Sequence, residues 1–176
     1  YARGGQAVPL ALKHSTERIE ARGNDALIVG NAGNDLVFSS VRLDAKATPV
    51  SGYIQRNAVQ SESRTHGFFY QPQGEANGIL GLPILGGSEE RPSAAVKYLR
   101  NKKLQLSDLG LLVASPGKVR DDGCQVSCVD WYGNARPIFI GGRVYVLMGY
   151  ELVEGRIVDD ALVELRRVNY APGQRR

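Results

Sequence analysis

Arg136-Pro137-Ile138-Phe139-Ile140-Gly141-Gly142-Arg143-Val144-Tyr145-Val146-Leu147-Met148 is two apolar runs around a Gly-Gly pair. Adjacent glycines reach the positive φ values of a tight turn, and the β-branched and aromatic flanks suit strands. The stretch predicts a β-hairpin. Asp130-Trp131-Tyr132-Gly133 leads into it, and residues 150–155, 156–160 and 161–168 read as continuing strands. The same grammar occurs upstream. Ala26-Leu27-Ile28-Val29 is followed by turn material, Gly30-Asn31-Ala32-Gly33-Asn34, and by a strand over 35–43, with further strands at 18–22 and 51–56. A third copy runs from a strand at 66–70 through a polar turn at 71–77 to a strand at 78–85. Pro83 has no N–H to give, so that strand is expected at an edge or a bulge. A loop over 86–92 and strands at 95–100 and 111–113 follow. Only residues 107–114 compete as a short helix, and Gly110 weakens that reading.

Ile28, Leu80 and Ile138 mark equivalent hairpin strands about 52 and 58 residues apart. Repeats of roughly 40–50 residues, each of four strands, are the mark of β-propeller blades. The expectation is therefore an all-β chain with blades near 18–60, 64–114 and 128–170 within one β domain, 1–176. A β-sandwich or barrel is the alternative. Closed propellers have at least about four blades, so an arc of three needs completing. The expected partners are the remaining blades of the same precursor, a partner chain, or further copies of this one.

The 176 residues are 43% hydrophobic and 23% charged, which excludes a disordered chain, and no apolar run is long enough for a membrane helix. The net charge of +4 is spread along the chain and is not massed with aromatic residues, so nucleic acid is not an expected partner. The chain begins at Tyr1 and its single methionine is Met148, so an upstream signal peptide, pro-region or longer protein is expected.

Cys124 and Cys128 stand beside the turn-forming Asp121-Asp122-Gly123. Five residues of loop can bring the two Cα atoms within bonding range, which predicts a disulfide, with free thiols as the alternative. A disulfide places the chain in an oxidising compartment: secreted, periplasmic or cell-surface. No cofactor is expected. Calcium is the alternative, through residues 30–38, which approach a calcium-binding nonapeptide, or through Asp121, Asp122 and Asp130. No catalytic residue is expected either. His14 and His66 lack a triad pattern, and no Gly-x-Ser-x-Gly elbow, Walker loop or dinucleotide fingerprint occurs. Trp131, Tyr132, Arg136 and Tyr150 are candidates for a ligand surface, since aromatic faces stack on sugars and Arg adds donors. Loops 71–78, 86–94 and 116–130 are the expected contact regions.

Four phrases carry a resemblance: Ser63-Arg64-Thr65-His66-Gly67-Phe68-Phe69-Tyr70, Gly78-Ile79-Leu80-Gly81-Leu82-Pro83-Ile84, Cys128-Val129-Asp130-Trp131-Tyr132-Gly133-Asn134-Ala135-Arg136-Pro137, and Tyr150-Glu151-Leu152-Val153-Glu154-Gly155-Arg156. Over residues 18–172 the chain resembles the C-terminal part of secreted bacterial proteins known only by a β-propeller domain. The resemblance implies an exported, multi-bladed protein with further blades upstream, and no particular activity. The expected function is a non-enzymatic exported interaction or scaffold module. The alternatives are part of a propeller-fold extracellular hydrolase or lyase, and a self-assembling surface or filament subunit.

Overall fold

The computed structural model of the chain describes residues 2–3, 6–62, 67–88, 91–115 and 135–170. These are strands and turns, with no α-helix among them. None is therefore a helix long and apolar enough to cross a membrane. A short pair, β1 (Ala2–Arg3) and β2 (Gln6–Ala7), precedes three larger antiparallel sheets. The first sheet is β3 (Arg18–Arg22), β4 (Asp25–Ala32), β5 (Asp35–Leu43) and β6 (Ala47–Gln55), side by side in chain order. In the middle sheet β7 (Ala58–Gln60) and β8 (Phe69–Pro72) share one side of β9 (Asn77–Ser88), and β10 (Arg91–Lys102) and β11 (Gln105–Val113) follow. The last sheet is β12 (Arg136–Ile140), β13 (Arg143–Met148), β14 (Glu151–Val158) and β15 (Ala161–Asn169), again in chain order. The sheets do not close into a ring or barrel.

The sheets stack face to face, and alternation along each strand sorts its residues between the two faces. One core joins the first and middle sheets: Leu27, Val29, Leu36 and Phe38 meet Leu80, Leu82, Ile84 and Leu99. A second joins the middle and last sheets, where Ile79, Val96, Tyr98 and Leu112 meet Val144, Val146, Met148 and Val153. The middle sheet is covered on both faces, which is why Ile79-Leu80-Gly81-Leu82-Pro83-Ile84 is almost continuously apolar. Truncating one of these fully buried side chains, such as Leu80→Ala, costs about 2–5 kcal/mol by the usual rule for cores.

All three sheets carry a bulge between their third and fourth strands. The register slips at Ser40/Val41, at Tyr98/Leu99 and at Glu154/Gly155. In each case the extra residue lies on the fourth strand: Val50, Leu109 and Leu165. Ser40, Tyr98 and Glu154 thus occupy equivalent positions in three repeated units.

The free face of the first sheet is covered by the segment before it. Leu10 and Leu12 pack on Ile28, Val41 and Ala47. Ser15 and Glu17 extend the β3 ladder by bonding the Asn31 and Val29 carbonyls. Residue 30 must be glycine here, because a Cβ would coincide with the Ser15 carbonyl. His14 ties the segment down through Nε2 to Ser39 Oγ at 2.8 Å.

Several local expectations need correcting. The loop expected over 86–92 is strand at 86–88 and 91–92: β9 runs to Ser88 and β10 starts at Arg91, with these two residues paired. The turn expected over 71–77 is only 73–76, since β8 reaches Pro72 and β9 starts at Asn77. Gly30, Asn31 and Ala32 belong to β4, leaving Gly33 and Asn34 as the turn. Residues 107–114 are not helical, as β11 covers them to Val113. Pro83 lies on a central strand, not at an edge. Its carbonyl accepts from Ser61 N at 3.1 Å, so its donorless nitrogen faces the same side, in the gap between β7 and β8.

Candidate functional site

The outward face of the last sheet is apolar and uncovered among the described residues. Pro137, Phe139, Val144, Val146 and Val153 point inward, so their neighbours must point out. Ile138, Ile140, Leu147, Leu152, Val163 and Val168 do so, and Ile140 is 61% exposed. Strands about 4.8 Å apart, rising about 3.3 Å per residue, make the whole face, its charged residues included, roughly 400–500 Å².

A charged cluster occupies its centre. Glu154 on β14 accepts from Arg143 of β13 at 2.5 Å and from Arg166 of β15 at 3.0 Å, and the Tyr145 hydroxyl lies 3.4 Å away. The glutamate side chain is only 6% exposed, while Arg143 and Arg166 are 51% and 70% exposed. The arginine side chains lie over the carboxylate and hide it from water. Hydrogen bonding from Arg143 holds the Glu154 carboxyl below its ordinary range, against the opposing effect of burial and with help from Arg166. Arg136 and Arg156 also alternate outward, and Arg156 stands directly across from Arg143. Among the described residues of this face, Glu154 is thus one carboxylate among several guanidiniums.

A second cluster is built into the seam between the first and middle sheets. Lys97 on β10 is 2% exposed, and its Nζ meets Asp108 Oδ1 at 2.5 Å and the face of Tyr53 at 4.7 Å. The Tyr53 hydroxyl donates to Asp108 Oδ2 at 2.8 Å. Burial pushes Lys97 below and Tyr53 above their ordinary pKa values. Burial works to raise Asp108, but the bonds from Lys97 and Tyr53 outweigh it and leave its pKa lowered. Every polar group of this trio is engaged within the seam. It ties the first sheet to the middle one, with the Asp108 side chain half exposed at its edge.

The residues singled out from sequence fall elsewhere. Cys124, Cys128, Asp121, Asp122, Asp130, Trp131, Tyr132 and His66 lie outside the described residues, as does the loop expected at 116–130. Arg136 opens β12 on the outward face, opposite Leu147. Tyr150 sits in the β13–β14 turn, its ring edge-on to Tyr170 at 6.3 Å. Asp35 of the nonapeptide-like stretch bonds Arg56 and the Asn57 amide, as a turn residue does. Among the described residues no group of three or more His, Cys, Asp or Glu side chains converges as a metal would require. Arg143, Glu154 and Arg166 were not among the candidates, since they lie on three different strands and only the strand register brings them together.

Comparison with known proteins finds no family model, no curated protein and no solved structure that matches the chain.

Proposed function

We propose that this chain is a non-enzymatic interaction or scaffold module built of propeller-type blades. The observation that carries the reading is the outward face of β12–β15, uncovered among the described residues, with apolar side chains around an ion cluster at its centre. Sheets that follow one another and stack face to face, four-stranded meanders at either end and a middle sheet in which β7 and β8 share the first position, each with a bulge at the same place, support the blade assignment. A stack of this kind is rigid, and a rigid scaffold presents a large face without the entropy cost of ordering it. The partners proposed are further blades, from the same precursor or from another chain, in an exported setting.

In-cell photo-crosslinking tests this reading. Benzoylphenylalanine replaces Leu152 or Val163 on the outward face, or Val59 as an exposed control on β7. Defined adducts at 152 and 163 but not at 59 are expected. An equal scatter of adducts at all three positions, or none, would remove the reading.

A further inference from the structure

We infer that the outward face of β12–β15 receives a partner β-sheet carrying carboxylates opposite Arg143 and Arg166, and that this partner is not a second copy of the chain. The inference rests on the reading above that this face is where the module is completed.

Repetition within the fold identifies a sheet as the occupant. Ser40, at the first bulge, projects onto the middle sheet and donates to the Leu104 carbonyl at 2.6 Å. Tyr98, at the second, projects onto the last sheet and packs edge-on against Phe139 at 6.1 Å. Glu154, at the third, projects from the same position on its own sheet into the uncovered face. The surface around Glu154 thus continues the two interfaces inside the chain, and both of those are sheet on sheet. Its area fits as well. Two such faces bury on the order of 1,000 Å² in total, the lower bound for a specific interface.

Charge identifies the chemistry of that sheet. Arg143 and Arg166 each spend part of a five-donor guanidinium on Glu154 and keep donors facing outward. Covering them with an apolar sheet would bury those donors unmet, which is strongly unfavourable. A covering sheet therefore needs acceptors there, and carboxylates pair with guanidinium best. A second copy does not present them in either of the two stackings that would continue the array. Face to face, it would set Arg143, Arg156 and Arg166 against the same three arginines, with one Glu154 from each side. Head to tail, it would offer the free face of its first sheet, which Leu10 and Leu12 already occupy.

The probe is a disulfide-closed, fluorescein-labelled hairpin peptide with Val-Glu-Val on one face of each strand and threonine on the other. A Val-Lys-Val hairpin is its control. Fluorescence anisotropy is measured with the wild-type chain and with Arg143→Gln/Arg166→Gln, which removes the charge and keeps polar side chains. The Glu hairpin is expected to bind wild type at least tenfold tighter than the Lys hairpin does, and the double variant is expected to erase that preference. Equal binding of the two hairpins, or none by either, would overturn the inference. So would a concentration-dependent dimer in sedimentation that Leu152→Lys abolishes, since the occupant would then be a second copy. Tighter binding to phosphatidylglycerol vesicles than to the Glu hairpin would likewise replace the sheet by a lipid surface. Crosslinks at 152 and 163 without hairpin discrimination would leave the scaffold reading standing and remove this inference alone.

Discussion

Lys97 and Tyr98 are consecutive, both buried, and opposite in what the fold gives them. Lys97 has a carboxylate and an aromatic face, while the Tyr98 hydroxyl has no hydrogen-bond partner among the described residues. A buried hydroxyl without a partner costs about 1–3 kcal/mol, so removing it should do no harm. Tyr98→Phe is expected to leave stability unchanged or raise it by up to about 1 kcal/mol in urea unfolding. Asp108→Ala should do the opposite, because it strands a buried ammonium. Asp108 is half exposed, so the loss is discounted from the buried-pair range to about 1–2 kcal/mol. The sign of the pH dependence follows. The Asp108 pKa is lower folded than unfolded, so its stabilisation is present above about pH 4 and is lost as pH falls through the folded value. Acid titration of unfolding should show a shallower decline in Asp108→Asn than in wild type. An equal slope would mean that this carboxylate carries none of the acid sensitivity.

At the scale of elements, what was legible in sequence depended on which residues make the turns. Gly141-Gly142 declares its hairpin, and both residues have positive φ. Lys103-Leu104 makes an equally tight turn between β10 and β11 with positive φ at two non-glycine residues, and nothing in that pair announces it. The turn is held from outside instead. Ser40 and Ser51 of the first sheet both donate to the Leu104 carbonyl, and Asn101 Oδ1 accepts from its amide. Ser40→Ala/Ser51→Ala leaves that carbonyl unmet and should cost about 2 kcal/mol, with faster amide exchange at residues 101–106. The long β9–β10 hairpin was hidden for the opposite reason, since Gly86, Gly87 and Pro92 imitate a loop in sequence. Gly30 is the residue over which the N-terminal segment passes. Gly30→Ala should expel residues 8–16, seen as exchange protection lost at the Ser15, Glu17 and Asn31 amides while β9 and β10 stay protected. The charged cluster was harder still to read. Arg143, Glu154 and Arg166 come from different strands, and only the register places them in contact.

At the scale of the molecule, among the described residues one end of the stack is closed and the other is open. Leu10 and Leu12 cover the first sheet, whereas Leu152, Val163 and Val168 of the last sheet face outward. An open face of this kind should bind an apolar dye such as bis-ANS, and Leu152→Lys/Val163→Lys should lose most of that fluorescence without a change in circular dichroism. The most direct measurement is native mass spectrometry of the protein as isolated from the cells that make it, with a denatured spectrum beside it. A native mass above the 19.1 kDa of this chain is expected, either as one longer polypeptide that carries further blades or as an assembly that separates on denaturation into this chain and a different polypeptide. A lone native mass of 19.1 kDa would contradict it, because the exposed face of β12–β15 would then be a finished surface.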